Sequence, residues 1–430
     1  MKKLILILLI IFINSNIAIA TEYVVMDNGL TIIYKQDTSR NMTAVMAFIK
    51  GGNYIESESE AGSVNLLHAV MLKGTISRSS SQIALDIEKL GGSIGPEIGN
   101  DYSAISLILP TRYFEKGFKI FADILKNPSF PEEEIEKEKC AVIAGIKANN
   151  DSIFSYAYDE FLKALYGNFP YYRFIPGTEE SVKKIDKPIL QKYHSRLFAP
   201  NNLVLVFLTS LPMEIIKKLT DKELGDILPF DKGEEKIEEI SERSQALLIK
   251  KEREFTQAYL MLGYLAPSID SPDYPAMKII NEIAGAGGSS KIFVALREKE
   301  GLAYEIGSFF PTRKYKSGFT LYMGLNAKNI EKARNKLLDE VSGLAEGISQ
   351  DDIDSAKALI VGRFIMEHES SSRQAWYMGW YQIMGKGYTY DDSYPLEISK
   401  VTRDDIKKVC SAYLANNNWT CVQVTPINKK

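Results

Sequence analysis

The chain of 430 residues contains few cysteines and few histidines, three of each. An odd number of cysteines argues against a framework of disulfide bonds. One bridge between Cys410 and Cys421 remains possible, and so does the alternative that these two residues and Cys140 are three buried thiols. The sequence therefore does not predict a small fold that depends on disulfides.

An excess of positive charge is also absent. The chain has 52 Lys and Arg residues against 55 Asp and Glu residues, which gives a formal net charge of −3 at pH 7. Nucleic-acid binding usually requires a basic stripe, so the composition gives no indication of a nucleic-acid partner. With 45% hydrophobic and 25% charged residues, the composition is that of a folded globular protein, and the length suits two or more domains.

Long apolar runs are scarce, and the clearest one is at the N-terminus. It covers residues 4–13, follows Lys2 and Lys3, and precedes a small-residue site at residues 18–20. This layout is typical of a secretory signal peptide cleaved after Ala20, and the run is too short for a comfortable membrane span. An uncleaved anchor is the alternative. We expect residues 1–20 to be removed and the mature chain to be exported, periplasmic or secreted, with no membrane span.

The mature chain divides at a charged stretch, residues 231–243, which is too polar to bury a core and is typical of a linker. On each side the same order occurs: an alternating strand, an amphipathic helix, a turn, and a helix with acidic residues in its first turn, where Ile135 and Ile353 hold matching places. We interpret this as a tandem duplication of an α+β unit of about 200 residues. The predicted domains are residues 21–230 and 244–430.

One predicted helix, in the sequence SVNLLHAVMLKGT, has the spacing of a metal-binding helix. Asn65, His68 and Ala69 share one face because they are three and four residues apart. Zinc-peptidase helices place two histidines four residues apart with a glutamate as general base, whereas this face offers one imidazole. His194 and His368 lie in segments without ligand spacing, so a packed or hydrogen-bonded His68 is the simpler interpretation.

The residues that follow this helix, Lys-Gly-Thr at 73–75, give it a resemblance to the pitrilysin, insulinase and mitochondrial processing peptidase family, whose inverted zinc motif is His-x-x-Glu-His. The resemblance implies a fold of two homologous α/β-sandwich domains in a clamshell arrangement. It also places the first zinc histidine at Asn65, the catalytic glutamate at His68 and the second histidine at Ala69. The third ligand, a later glutamate, falls on Gly145. All four positions are replaced, so we expect no zinc on this chain.

A second family motif lies in the other half of the chain and is intact. It comprises a Gly-Gly-Ser-Ser loop at residues 287–290, then Arg297, Gly301 and Tyr304. In active members, the resemblance implies, this arginine and tyrosine bind substrate backbone and stabilise the oxyanion. The loop could instead suggest phosphate binding. However, neither a P-loop nor a G-x-G-x-x-G motif after a strand is present.

A simpler interpretation of this second motif remains open. Arg297 would pair with Glu298 or Glu300 at the surface, and Tyr304 would pack within a strand. The aromatic run at residues 376–388 also has two interpretations, because it could line a peptide-binding chamber or belong to the core, and the core is more usual for such a density of aromatics.

Together these features favour the zinc-less subunit of a heterodimeric zinc metallopeptidase, inactive alone, that supplies Arg297 and Tyr304 to a partner. The partner would be a homologous subunit with an intact His-x-x-Glu-His motif and the zinc ion, and the substrate would be a peptide or unfolded protein. The alternative is an inactive scaffold or peptide-binding protein of the same fold. An active enzyme with an unrecognised site is a weaker third hypothesis, because no other acid–base or nucleophile cluster is evident.

Overall fold

A computed structural model of the chain describes residues 21–230, 239–415 and 417–427. The predicted signal peptide, residues 1–20, and most of the predicted linker lie outside the described residues. Cleavage after Ala20 and the domain boundaries at the linker therefore remain predictions. Within the described ranges, no helix is both long and apolar enough to cross a bilayer.

Both halves of the chain combine strands with helices, and each has a run of consecutive helices, between β5 and β6 and between β10 and β11. The strands are β1 Glu22–Val25, β2 Thr31–Gln36, β3 Met42–Lys50, β4 Ser93–Ile98, β5 Tyr102–Pro110, β6 Leu203–Thr209, β7 Leu247–Arg253, β8 Ala258–Ala266, β9 Ala303–Phe309, β10 Ser317–Leu325 and β11 Thr420–Pro426. The helices are α1 Ser63–Met71, α2 Ser80–Lys89, α3 Phe114–Lys126, α4 Glu132–Asn150, α5 Ile153–Tyr166, α6 Glu179–Lys184, α7 Lys187–Leu197, α8 Met213–Leu224, α9 Tyr274–Gly285, α10 Lys291–Phe293, α11 Ile330–Gly347, α12 Gln350–Glu367, α13 Ser371–Met384, α14 Tyr390–Lys400 and α15 Arg403–Val409. Helix α10 continues as a π-helical segment, Val294–Lys299, and α15 continues as another, Cys410–Leu414.

The two halves build sheets of the same topology. The first sheet has the order β1-β2-β6-β3-β5-β4, and the second has the order β7-β11-β8-β10-β9. Without β1 the two orders match strand for strand, including the one parallel pair in each sheet, β2 with β6 and β7 with β11. This repeated topology confirms the predicted α+β fold of two homologous units.

The two halves exchange equivalent helices across their interface. Helix α5 of the first half packs on strands β8 and β11 of the second sheet, and α13 of the second half packs on β3 and β6 of the first sheet. Each helix begins in the same way, since the hydroxyl of Ser152 accepts from the amide of Ser155 and the hydroxyl of Ser370 accepts from the amide of Arg373. Each sheet is therefore covered on one face by a helix from the other half, and hydrophobic clusters that contain residues of both halves join the two units.

The aromatic run, residues 376–388, belongs largely to α13. Trp380 and Tyr381 of α13 are buried, at 9% and 2% exposure, which confirms the core interpretation for these side chains. Gly379 lies so close to the first sheet that a Cβ there would stand 2.3 Å from the Phe48 ring. Trp376 remains partly exposed and donates from Nε1 to the Glu97 carboxylate at 2.8 Å.

The three cysteines differ in environment. Cys410 and Cys421 are both buried and free, so the possible bridge between them is not formed. Burial raises the pKa of each of these two thiols to about 12, which makes them unreactive at neutral pH. Cys140 is exposed on α4, so the alternative of three buried thiols was wrong for this residue.

Candidate functional site

Helix α1, which carries the degenerate motif, begins without a side-chain cap on its first residues. Its N-cap is Gly62 in the left-handed region, with φ of 93°. The carboxylate of Glu56 takes the place of the cap, since it accepts from the amides of Gly62 at 2.9 Å and Val64 at 2.6 Å. Burial raises the pKa of Glu56 to about 8, against the opposing effect of these two hydrogen bonds. The helix start is therefore held by a buried carboxyl group six residues upstream.

Three degenerate positions lie on two packed helices. Asn65 and Ala69 are partly exposed on α1, and Gly145 is exposed on α4, which packs against α1. The ammonium group of Lys73 contacts the Glu138 carboxylate at 2.8 Å and joins the same two segments. A Cβ at Gly145 would meet no atom within 4 Å, so packing does not force a glycine there. The helix pair is thus present with room for ligands that its residues do not supply.

The residues in this region do not fit a zinc ion. Alanine and glycine have no donor atom, and Asn65 is the only one of the three positions with a polar side chain. Among residues 21–230, 239–415 and 417–427, no group of three or more His, Cys, Asp or Glu side chains is arranged to hold a metal.

The fourth position, His68, points into the core. It is fully buried, and its Nδ1 donates to the carbonyl oxygen of Val64 at 2.8 Å. Because the Val64 group is an acceptor, Nδ1 carries the proton, and Nε2 has no partner among the described residues. Burial lowers the pKa of His68 to about 4, so the ring is neutral at pH 7. A buried neutral ring is a core residue, as the simpler interpretation predicted.

The other two histidines also make hydrogen bonds unrelated to a metal. The Nε2 of His194 contacts the carbonyl oxygen of Leu125 at 2.9 Å. His368 contacts the carbonyl oxygen of Phe364 through Nδ1 at 2.7 Å and the Asp391 carboxylate through Nε2 at 2.8 Å. Both partners of His368 are acceptors, so the ring is an imidazolium when both bonds form.

Arg297 lies in the π-helical segment that extends α10, and π-helical turns often occur at functional sites. Its guanidinium lies 5.0 Å from the centre of the Phe293 ring, a cation–π contact between residues four apart on one helix. The side chain is exposed, and no carboxylate of the described residues pairs with it. The surface ion pair expected as the simpler interpretation of Arg297 was therefore wrong.

Tyr304 lies on β9, at the edge of the second sheet. Ala303 pairs with Leu325 and Glu305 pairs with Gly324, so Tyr304 occupies a β-bulge without a partner residue. A bulge re-aims the side chain it carries, and bulges are frequent beside active sites. The Tyr304 side chain is 58% exposed, and its hydroxyl bonds to no described residue. The alternative that Tyr304 packs within the strand was wrong as well.

The segment between Arg297 and Tyr304 is held by its backbone. The amide of Leu302 donates to the carbonyl of Leu296 at 2.9 Å, and Gly301 turns the chain with φ of 60°, a conformation that favours glycine. The π-helical segment packs against β9, so the two side chains stand on adjoining elements. An exposed guanidinium and an exposed phenol on adjoining elements are suitable donors for a carbonyl or oxyanion.

The glycine-rich loop precedes this segment. Residues 287–289 are exposed, and the amide of Ser290 donates to the carbonyl of Gly287 at 3.0 Å. Lys291, directly after the loop, contacts the Asp352 carboxylate of α12 at 2.8 Å. The loop therefore connects α9 to α10 and is anchored at its end by an ion pair.

Two residues, one beside α1 and one beside Arg297, were not identified from the sequence. Glu56 was missed because its contact to α1 depends on a backbone turn, although an acidic residue upstream of an uncapped helix start was an available indication. Phe293 was missed because only Arg297 was considered, although a spacing of four residues on a helix places the two side chains together.

The matches to known proteins extend over most of the chain. Residues 31–179 match the family model described as Insulinase (Peptidase family M16), and residues 184–360 match the model described as Peptidase M16 inactive domain. The chain belongs to peptidase family M16. The first match lies within the first half of the repeated fold, whereas the second begins before β6 of the first sheet and ends within α12 of the second half. The degenerate positions lie in the first match, and the Arg297–Tyr304 region lies in the second.

Several M16 relatives cover most of the chain. It is 25% identical over 369 residues to the uncharacterized zinc protease YmxG of Bacillus subtilis (strain 168). The aligned region covers 85% of this chain and 89% of that protein. It is 24% identical over 438 residues to the Non-peptidase homolog YmxG of Helicobacter pylori (strain ATCC 700392 / 26695), covering 100% and 99%.

Among solved structures, the peptidase M16 inactive domain from Pseudomonas fluorescens has a TM-score of 0.87 at 22% identity, with 94% of this chain and 98% of that chain covered. A protease from Helicobacter pylori has a TM-score of 0.85 at 20% identity, with 95% and 99% covered. These likenesses show that the M16 fold extends over nearly the whole chain.

Proposed function

We propose that this chain is the non-zinc-binding subunit of a heterodimeric M16 metallopeptidase that acts outside the cytoplasm. The observation that carries the proposal is the contrast between the two halves. Asn65, Ala69 and Gly145 provide no zinc site, whereas Arg297 and Tyr304 are exposed and have no hydrogen-bond or ion-pair partner among the described residues. A chain of this kind is inactive alone and completes the site of a homologous subunit with an intact His-x-x-Glu-His motif.

In the assembled enzyme, zinc on the partner subunit would supply Lewis-acid activation of water. The residues of this chain would bind the peptide and the charge that develops on its carbonyl oxygen. The guanidinium of Arg297 provides a fixed positive charge with several N–H donors, and the hydroxyl of Tyr304 provides one O–H donor. Both groups fit a substrate whose backbone is extended, such as a peptide or an unfolded protein segment.

The test compares the mature chain alone with the chain assembled with a His-x-x-Glu-His homologue from the same source. We expect no stoichiometric zinc and no peptide hydrolysis for the chain alone, and both for the assembly. One tightly held zinc ion per isolated chain would contradict the proposal.

Two substitutions then test the roles of the side chains. Arg297→Ala and Tyr304→Phe should each lower kcat of the assembly by about 10²–10³-fold, the usual loss for one oxyanion donor. Lys299→Ala on the same exposed segment and Tyr23→Phe on an exposed strand are the matched controls, and both should leave turnover unchanged. Unaffected turnover in the Arg297 and Tyr304 variants would refute their proposed roles.

The second candidate is a catalytically inactive scaffold or peptide-binding protein. Two observations favour it: the absence of the zinc ligands, and the name of the Helicobacter pylori relative, a non-peptidase homolog. It predicts that the assembly gains no peptidase activity from this chain, so the same assembly experiment separates the two functions.

A further inference from the structure

The sequence around Arg297 contains a competitor for its guanidinium. Glu300 follows three residues later, directly after the π-helical segment, and its backbone is still in the right-handed helical region. Side chains three or four residues apart on a helix lie close together. Glu298 is one residue away and does not share that face. An Arg–Glu pair at this spacing is an ordinary surface contact, and it would neutralise Arg297 before any ligand arrived.

Glu300 is instead held by two lysines of α11. The ammonium group of Lys332 lies 2.9 Å from Oε2 of Glu300, and that of Lys336 lies 3.2 Å from Oε1. The two lysines are one turn apart on α11, so each carboxylate oxygen receives one of them. The contacts with Lys332 and then Lys336 lower the pKa of Glu300, which keeps the carboxylate charged and paired.

The arginine is supported from its other side by an apolar group. The Phe293 ring is partly buried against the core of the second half, and its face lies under the guanidinium. Since a ring face attracts a cation without neutralising its charge, Phe293 orients Arg297 and leaves all of its N–H donors available. The Phe293 ring therefore supports the guanidinium, while the Glu300 carboxylate is engaged by two lysines.

We infer that Lys332 and Lys336 are positioning residues, which hold Glu300 away from Arg297 so that its guanidinium stays available to an anionic or carbonyl ligand. The inference rests on the proposed function for its catalytic consequence. The availability of Arg297 itself is a property of the isolated chain and can be measured there.

The experiment is a double-mutant cycle read by chemical modification. The full mature chain is treated with phenylglyoxal, a dicarbonyl reagent for guanidines, at low ionic strength, and the rate at Arg297 is measured by peptide mass spectrometry. The effect of Glu300→Gln is determined in two backgrounds, the natural chain and the variant Lys332→Met with Lys336→Met. Comparing the two effects cancels the general influence of the lost lysine charges.

In the natural background Glu300→Gln should leave the Arg297 rate nearly unchanged, because Glu300 is already engaged. In the lysine-less background Glu300 is free to pair with Arg297. Glu300→Gln should then raise the rate about twofold, as expected for one helical ion pair, and 0.5 M salt should abolish the difference. Equal effects of Glu300→Gln in both backgrounds would overturn the inference, whether both are large or both are absent.

A matched control checks that the effect is specific to Glu300. Lys250→Met removes an exposed ion pair with Glu331, which lies on the same helix α11, without affecting Glu300. Lys250→Met should leave the modification rate at Arg297 unchanged. If it lowered that rate as much as the loss of Lys332 and Lys336 does, any disturbance of α11 would change the reactivity of Arg297.

Turnover of the assembled peptidase separates this inference from the proposed function. If the assembly is active, kcat should fall in the lysine-less variant and recover when Glu300→Gln is added. If the assembly is inactive while the modification cycle shows the expected coupling, the proposed function fails and the positioning of Arg297 stands. If the assembly is active but the modification cycle shows no coupling between Glu300 and the two lysines, the positioning role of the lysines is refuted and the proposed function stands.

Discussion

Replacing His68 by leucine should make the chain more resistant to acid. His68 is fully buried in α1 with Nε2 unpaired among the described residues, and its Nδ1 shares the Val64 carbonyl oxygen with the helix backbone. Leucine would remove a buried polar atom that has no partner, so we expect little change in stability at pH 7. The difference should develop as the pH falls, because only the histidine takes up a proton.

The magnitude follows from the two pKa values of this ring. Burial lowers the pKa of His68 to about 4 in the folded chain, whereas an unfolded histidine has a pKa of about 6.5. The folded pKa is the lower one, so the unfolded state binds the proton first, and folding stability is lost as the pH falls from about 6.5 to about 4. The linkage relation gives a loss of about 2 kcal/mol between pH 7 and pH 5, and about 3 kcal/mol by pH 4.

The assay is urea unfolding of the natural chain and the His68→Leu variant at pH 7, 6 and 5. The quantity of interest is the change with pH in the difference between the two unfolding free energies. His194 has a pKa lowered by burial in the same direction, but it is present in both proteins and its contribution cancels. If the difference between the proteins were the same at pH 7 and pH 5, the reasoning would be refuted.

A direct measurement of the ring supports the same test. The chain has three histidines, so the imidazole region of an NMR spectrum of histidine-labelled protein holds three sets of signals. The set lost in the His68→Leu variant should titrate near pH 4. Titration near 6.5 would show that the ring is hydrated in the folded chain.

Two further predictions concern the exchanged helix and the segment before it. His368→Gln should cost more stability at pH 5 than at pH 8. Burial alone would lower the pKa of His368, but the hydrogen bonds to its two acceptors outweigh that effect and raise the pKa. The stabilisation from the charged ring is therefore complete below the unfolded pKa of about 6.5 and is lost as the pH rises through the folded pKa. Unfolding in urea at both pH values checks this, and a larger cost at pH 8 would contradict it. Gly379→Ala should destabilise by about 1–3 kcal/mol in thermal or urea unfolding, because its Cβ would overlap the Phe48 ring. The control is Gly343→Ala in α11, where no atom lies within 4 Å of the added Cβ and the helix propensity of alanine should stabilise by about 1 kcal/mol.

The repeat was predictable from the sequence because its evidence is local. Alternation in a strand, acidic residues in a first helical turn and apolar spacing along a helix are all readable within about fifteen residues. Ile135 and Ile353, placed in register by that pattern, are both buried at matching points of α4 and α12. The exchange of α5 and α13 was not predictable in this way, since either sheet would bury an apolar helix equally well by composition.

The two simpler alternatives that the structure contradicts at the candidate site fail for a common physical reason. An ion pair between Arg297 and Glu300 was a reasonable expectation from spacing, but Lys332 and Lys336, about thirty residues further on, take the carboxylate instead. The alternative that Tyr304 packs within a strand did not allow for a β-bulge, which is set by the pairing of β9 with β10 and leaves Tyr304 exposed. In both cases a contact distant in sequence overrides a local rule.

The state of the two regions favours specialisation over general decay of an M16 site. The α1–α4 pair keeps its geometry through Glu56 and through the contact of Lys73 with Glu138, and Gly145 has free space around it, so zinc ligands are missing where they would fit. If the Arg297–Tyr304 region had only accumulated random surface substitutions, the arginine would be expected to pair with a neighbouring carboxylate. Instead Arg297 is supported by an aromatic ring and its neighbouring carboxylate is engaged by two lysines. A chain that retains an available guanidinium without zinc ligands fits the proposed function, in which this chain would bind the peptide and a partner subunit would hold the zinc. The assembly experiment tests that division of work.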